Sequence, residues 1–373
     1  MTNNSNYKIC HITSAHPDGD IRIFHKEACS LAKAGYKTYL IVPNSNSRIE
    51  NEVNVISFQS NYTSRKERMT LTVKQVYEKA VQLDADLYHI HDPELLKIVK
   101  KLKRNGKKVI YDVHEDLPRQ IMTKHWIPKL LRKLISVTTE LYENKIAKKC
   151  DGVVTATPFI AERFKLINSK TININNFPFI DELNSPENIR TSNKNICYVG
   201  GITAIRGISE LIKSLKYTED VKLILAGSVS PDSYLDELQK LPEWEKVEYL
   251  GNVSRKQVGE ILGSSFAGIV TFHPLPNHVD AQPNKMFEYM SAELPVIGSF
   301  FPLWKSIIED NHCGICVNPL DPKSIADGIN QLKNNPSNIS IFGKNGRTAI
   351  LEKYNWKIEE EKLIAFYQQI LNQ

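Results

Sequence analysis

The chain has 373 residues, of which 41% are apolar and 24% charged, and a net charge of +6. At roughly 150 residues per domain this length predicts two domains, and the composition excludes disorder, collagen and coiled coil as the main organisation. No apolar run approaches the roughly 18 residues of a membrane span, and the polar start Met1-Thr-Asn-Asn-Ser-Asn-Tyr7 lacks a hydrophobic leader, so a cytoplasmic protein is expected.

In chain order, β-branched runs predict strands at 8–13, 37–42, 53–57, 87–91, 108–112 and 152–156. Helical periodicity falls between several of them, at 21–34, 71–83, 93–104 and 128–149. Strand and helix in alternation predict a parallel sheet covered on both faces. The stretch Asn175-Asn-Phe-Pro-Phe-Ile-Asp-Glu-Leu-Asn-Ser-Pro-Glu-Asn188 breaks periodicity as a linker does. The alternation then restarts. Strands are predicted at 195–199, 221–226, 247–250, 267–271, 295–299 and 314–317, and helices at 207–216, 231–240, 254–263, 283–292, 321–333 and 337–353. The fold class is therefore α/β, with two doubly wound Rossmann-like domains facing a central cleft. In such folds ligands bind beyond the carboxyl ends of the strands.

Charge is unevenly shared. Residues 1–180 hold 29 Lys/Arg against 18 Asp/Glu, and residues 181–373 hold 19 against 24. A basic first half predicts an anionic partner. Its basic residues concentrate at 97–108 and 124–149, without zinc-finger spacing or an aromatic RNA-binding signature. An acidic membrane surface therefore ranks above nucleic acid, which is not expected. Residues 124–149 join Lys124, Lys129, Arg132, Lys133, Lys145, Lys148 and Lys149 to Trp126, Ile127, Leu130, Leu131, Leu134 and Ile135. That pattern reads as a membrane-surface helix, or as a domain helix packing Leu130, Leu134 and Val137 inward. The six cysteines are scattered, and Cys313-Gly-Ile-Cys316 has no second pair nearby, so reduced structural thiols are expected.

Two segments of the second half carry chemistry. Strand 195–199 runs into Gly200-Gly-Ile-Thr-Ala-Ile-Arg-Gly207 and then a helix. Glycines at such a turn let backbone amides approach a phosphate, and Arg206 adds a cation. The spacing fits neither a dinucleotide fingerprint nor a P-loop. Further on comes Gln282-Pro-Asn-Lys-Met-Phe-Glu-Tyr-Met-Ser-Ala-Glu-Leu-Pro-Val-Ile297. Lys285 and Glu288 are three apart and share an exposed face, which suits a phosphate and a ribose or, alternatively, a surface ion pair.

This run resembles the donor-nucleotide motif of retaining GT-B glycosyltransferases, family 4. The Gly200–Gly207 turn resembles that family's diphosphate loop, and His11–Glu27 its first loop and helix. The resemblance extends to Trp356 and the last helix, 357–371. It implies an acceptor-binding domain over 1–180, a nucleotide-sugar domain over 190–353, and a C-terminal helix, 354–373, crossing back to the first domain. Carried across, Gly200, Gly201, Arg206, Asp280, Asn284, Lys285 and Glu288 bind the donor. Glu288 matches the Glu that holds the ribose. Asp280 stands where the family has its first Glu, and Gly201 where it has an Arg, for which Lys285 substitutes. His114 resembles the His that contacts the transferred sugar, and with Arg206 and Lys285 forms the catalytic set. His16, Gly19, Arg22, His91 and Glu115 line the acceptor side.

Asp18-Gly-Asp20 and Asp84-Ala-Asp86 are read as turn chemistry rather than as metal pairs. No metal and no cofactor are expected. The implied function is retaining, metal-independent transfer from a nucleotide-sugar (UDP-sugar favoured over GDP-sugar) to a glycan or lipid-linked acceptor in polysaccharide or cell-envelope biosynthesis, with the protein peripheral on the inner face of the cytoplasmic membrane. The rivals are a sugar-nucleotide epimerase of the same architecture and a non-catalytic nucleotide-sugar or nucleic-acid binding module.

Overall fold

The computed structural model describes residues 6–124, 127–183 and 194–372. The chain divides into two units, one of Met1–Asn176 with Trp356–Gln373 and one of Phe177–Asn355.

The first unit is built on eight strands: β1 (Lys8–Ile12), β2 (Lys37–Pro43), β3 (Arg48–Glu50), β4 (Val53–Phe58), β5 (Leu87–Ile90), β6 (Lys108–Val113), β7 (Gly152–Thr155) and β8 (Thr171–Asn173). Their order is β3-β4-β2-β1-β5-β6-β7-β8, and β3 against β4 is the antiparallel pairing. β1 lies centrally, with Ile9, Cys10 and Ile12 fully buried between helix layers. Such burial on both faces is why these strands read as continuous apolar runs. Its register places His11 beside His89 of β5, so two imidazoles share one face of the sheet. The C-terminal helix Trp356–Leu371 belongs to this unit. Trp356 Nε1 donates to Ser30 Oγ at 3.0 Å, and Gly152 on β7 leaves room for Phe366, whose ring a Cβ there would meet at 2.5 Å.

The second unit carries six parallel strands: β9 (Asn195–Val199), β10 (Lys222–Ala226), β11 (Val247–Gly251), β12 (Ala267–Val270), β13 (Val296–Ser299) and β14 (Gly314–Val317). Their order is β11-β10-β9-β12-β13-β14. The order reverses around β9, which marks the switch point where doubly wound sheets hold ligands. Helix Asn284–Ser291 is keyed onto the sheet there. Gly268 on β12 accepts the Tyr289 ring, and the Val199 amide donates to the Tyr289 hydroxyl at 3.1 Å. Each unit is thus an α/β, Rossmann-like sheet, parallel throughout the second unit and parallel but for β3 in the first.

Some elements depart from the expectations. β3 and β8 have three residues each, too few for alternation to show. Helices Leu117–Thr123, Pro158–Lys165 and Pro302–Ile308 are short, and each carries a proline in its first turn. The helix expected from residue 21 starts as a π-helical segment, Ile21–Ala28, before the α-helix Cys29–Lys33. In helix Lys129–Ala147 the inward reading of Leu130, Leu134 and Val137 is overturned. They are 94%, 61% and 47% exposed, and Ser136, Glu143, Ile146 and Ala147 are buried instead. Trp126 and the linker residues from 184 onward lie outside the described residues. No described helix is long and apolar enough to cross a membrane.

Candidate functional site

In the second unit the chain leaves β9 through Gly200, whose φ of +130° suits glycine alone. A Cβ on Gly200 would lie 2.7 Å from Lys285 Nζ, and one on Gly201 would lie 2.6 Å from Arg206 Nη1. Both glycines therefore make room for cations. Arg206 folds back and donates to the Gly201 carbonyl at 2.9 Å. Gly207, at φ +72°, packs so closely under Thr271 that a Cβ would lie 2.0 Å from its carbonyl oxygen.

Lys285 is the departure here, because it is not on an exposed face. It is 8% exposed, and its Nζ has no hydrogen-bond partner among the described residues. The ammonium sits 3.7 Å from the centroid of the Tyr198 ring and 5.4 Å from that of Phe272. Burial, and then the Arg206 guanidinium, push its pKa well below the usual lysine value, against a smaller opposite pull from Glu288. Thr203 Oγ1, Thr271 Oγ1, Asn277 Oδ1 and Gln282 Oε1, on neighbouring stretches of chain, are likewise buried without partners. Buried polar groups are normally satisfied, so the Lys285 ammonium calls for an anion and the two amide oxygens for a hydrogen-bond donor. Glu288 is partly exposed and held by Arg255, whose Nη1 lies 2.8 Å from Oε1 while its Nε donates to Glu182 at 2.7 Å. Asn284 is exposed and Asp280 half-buried in the preceding loop. Sequence reasoning missed Tyr198, Phe272 and Arg255, although the position of Tyr198 and Phe272 near the ends of apolar strands was a readable signal.

In the first unit, the loop after β1 is tied down by Asp92. The Thr13 hydroxyl and Ser14 amide donate to Asp92 Oδ2 at 2.8 and 2.6 Å. Asp20 accepts from the amides of Arg22 and Ile23, both at 2.9 Å, and so caps the first helix. His16 is half-buried, 3.1 Å from Asp20 through Nδ1, and that contact raises its pKa. Its ring lies 5.0 Å from that of His114. His114 follows β6 and keeps 18% of its side chain exposed, with Nε2 3.1 Å from both Asp112 Oδ2 and His91 Nδ1. Gly19 and Glu115 are exposed, and the Gln120 amide donates to Glu115. These residues can present a hydrogen-bonding surface to a ligand.

Two expected acceptor-side residues do not. Arg22 is 4% exposed and spends its donors inside the unit, on both oxygens of Asp112 at 2.9 Å and on the Ile174 carbonyl at 2.8 Å. It is a core ion-pair residue, because the first helix turns it under the sheet end. His91 is 1% exposed and bonded between His11 and His114. Burial lowers its pKa to about 4 despite Asp112. Burial also presses the Asp112 carboxyl upward, but Arg22, His114 and His91 together carry it well below the carboxylate range.

Two family models match the chain in tandem: "Glycosyltransferase Family 4" over residues 22–172 and "Glycosyl transferases group 1" over residues 179–349. The chain belongs to the GT-B glycosyltransferases of family 4. Among its glycosyltransferase relatives is the capsular polysaccharide biosynthesis glycosyltransferase CapM of Staphylococcus aureus, 28% identical over 251 residues. That match covers 66% of this chain and 61% of CapM, so the chain spans under two thirds of that relative's length. The GT-B fold is shared with sucrose-phosphate synthase of Thermosynechococcus elongatus at a TM-score of 0.80 and 16% identity, covering 98% and 99% of the two chains. It is shared too with Anabaena HepE in complex with UDP and glucose, at a TM-score of 0.74 and 12% identity over 97% and 100%.

Proposed function

We propose that the chain is a retaining glycosyltransferase that moves a sugar from a nucleotide-sugar, UDP-sugar first and GDP-sugar second, to a glycan or lipid-linked acceptor in polysaccharide or cell-envelope biosynthesis. The observation that carries this reading is the buried, unpartnered Lys285 ammonium beside Gly200 and near Arg206. Two cations against a glycine turn are what a diphosphate requires, and a diphosphate would relieve the desolvation of Lys285. Glu288, already oriented by Arg255, offers a carboxylate to ribose hydroxyls. The family, the polysaccharide role in CapM's name and the UDP in the HepE complex support the same reading.

The reaction that fits has the acceptor hydroxyl attack the anomeric carbon on the face from which the nucleoside diphosphate leaves. The leaving phosphate takes the hydroxyl proton, while Arg206 and Lys285 meet the charge that develops on it. His114, held by Asp112, would contact the transferred sugar, with His16, Gly19 and Glu115 toward the acceptor. The test is incubation of the full chain with UDP-, GDP- and dTDP-sugars, with and without a mixed lipid and glycan acceptor extract. Acceptor-dependent release of nucleoside diphosphate, with an anomeric configuration retained by NMR, is expected. Acceptor-independent conversion of the donor sugar would assign an epimerase instead, and binding without turnover a non-catalytic module.

A further inference from the structure

The His114 ring meets its own unit through one nitrogen. Its Nε2 lies 3.1 Å from Asp112 Oδ2 and 3.1 Å from His91 Nδ1. No hydrogen bond reaches its Nδ1 among the described residues, and 18% of the side chain stays open. His16 has its ring 5.0 Å away but turns both nitrogens elsewhere, Nδ1 to Asp20 at 3.1 Å and Nε2 toward Asp92 at 3.6 Å. Nδ1 of His114 is therefore left to a ligand.

Asp112 decides which form of the ring that ligand meets. It lies on β6 and is fully buried. Burial opposes its charge, but Arg22, His114 and His91 together hold it well below the carboxylate range. Arg22 grips both oxygens, Nη2 on Oδ1 and Nε on Oδ2, each at 2.9 Å. An ionised carboxylate only accepts hydrogen bonds. A nitrogen 3.1 Å from Oδ2 therefore carries a proton, because a bare one would set its lone pair against a negative oxygen. His91 does not change this. Its Nδ1 stands 3.2 Å from the same oxygen, and whether it donates to Asp112 or accepts from His114, Nε2 of His114 remains a donor. A neutral imidazole has a single N–H, so Nδ1 is left as the acceptor.

We infer that Asp112 is a positioning residue: it holds His114 as the Nε2–H tautomer, so that Nδ1 meets the ligand with a lone pair and takes a hydrogen bond from a hydroxyl of the transferred sugar. The tautomer follows from the first unit alone. That the ligand is the transferred sugar rests on the transferase reading. A donor sugar with a hydroxyl at that place is then preferred over one without, because the analogue leaves Nδ1 unpaired. The ring offers no N–H on its ligand side, so it does not protonate a leaving phosphate.

The first measurement needs no turnover. The full chain, with its histidines labelled with nitrogen-15, is read by NMR at pH 8, and the His114 signals are those absent from His114→Asn. A protonated Nε2 with a bare Nδ1 is expected. A proton on Nδ1, or on both nitrogens, overturns the inference. The second measurement uses the donor that the transfer assay identifies, with each sugar hydroxyl replaced in turn by hydrogen or by fluorine. One position is expected to lose about tenfold or more in kcat/KM with either replacement, and to lose nothing further in His114→Ala. Fluorine accepts weakly and never donates, so a position that tolerates fluorine but not hydrogen would make His114 the donor and overturn the inference. So would a series in which no hydroxyl couples to His114. Asp112→Asn is expected to shift His114 toward the Nδ1–H form and to lower kcat about tenfold or more, with nucleoside-diphosphate affinity within about twofold of wild type. A folded Asp112→Asn chain with tautomer and kcat unchanged refutes the positioning role. Where that variant does not fold, the wild-type spectrum and the analogue series decide. Absence of transfer from every donor refutes the transferase reading, and the sugar assignment with it, without altering the spectrum, so the two failures are distinguishable.

Discussion

Lys285 and Glu288 stand one helical turn apart, yet their surroundings give them opposite roles. Glu288 already has a partner in Arg255, which orients its carboxylate before any ligand arrives. Glu288→Gln removes the charge from that pairing and weakens the acceptor for ribose hydroxyls. Loss of a hydrogen bond to a charged group amounts to about 1.5–3 kcal/mol, so calorimetry should show donor affinity lower by at least tenfold with the fold intact. Unchanged affinity would count against the assignment. Lys285 has no hydrogen-bond partner among the described residues, and folding disfavours its charged form. A lysine whose folded pKa is lowered destabilises the donor-free fold at all pH values below its folded pKa. The penalty fades as pH rises toward the unfolded value of 10.5. Lys285→Met should therefore raise the melting temperature of the donor-free chain at pH 7, by about 2–4 °C for each kcal/mol relieved, and lower nucleotide affinity. The gain should shrink toward pH 10.5. A lower melting temperature, or donor affinity equal to wild type, would refute this account.

At the scale of an element, helix Lys129–Ala147 is the one whose exposure differs most from that of an ordinary domain helix. Leu130, Leu131, Leu134, Ile135, Val137 and Leu141 are all exposed, and Lys129, Arg132, Lys133 and Lys145 lie among them. A single exposed leucine needs no explanation, but a run of six on one helix does. Apolar area interleaved with positive charge matches an anionic lipid surface, and each basic residue close to that surface contributes about 1 kcal/mol. Flotation with liposomes should show the chain on anionic vesicles and absent from neutral ones. Leu130→Glu combined with Leu134→Glu should weaken the binding by at least tenfold, since it removes apolar area and adds negative charge at once. Equal binding to both vesicle types, or to neither, would remove the membrane reading.

Across the whole molecule, the proposed reaction would rest charge compensation for its leaving diphosphate on protein donors. Arg206 and Lys285 stand against the Gly200–Gly201 turn in the second unit, where the Gly200 amide is already spent on the Ala226 carbonyl. The acidic pairs of the first unit are engaged elsewhere. Asp18 is bound by Ser45 and Arg48, Asp20 caps a helix, and Asp84 sits at a left-handed helix end paired with Lys107. Sugar transfer should proceed equally in excess EDTA and in added magnesium. Activity abolished by EDTA and restored by magnesium would overturn metal independence and return attention to Asp280.

Much of this protein is legible in its sequence, for reasons that are local. β9 to β14 lie within a residue or two of their expected places, because β9, β10, β12 and β13 are continuous apolar runs between turn residues and β11 alternates half-buried with exposed positions. The Pro-Asn-Lys-x-Phe-Glu-Tyr run and the Gly200–Gly207 turn are legible for the same reason, since each is a short segment whose backbone needs those residue types. What tertiary structure alone decided is which side chains became buried and against what. Arg22 and His91 sit in segments that look like ligand loops, yet Asp112, which engages both, comes from another strand. Arg255 reaches Glu288 from a different helix, and Lys285 is buried because Tyr198 and Phe272 arrive from β9 and from the end of β12. His11, His89 and Tyr367 meet only through strand pairing and the return of the last helix. Alternation within a strand shows which of its residues share a face. It carries no information on which strand lies alongside, or in what register, because packing of the whole sheet and its helices settles that.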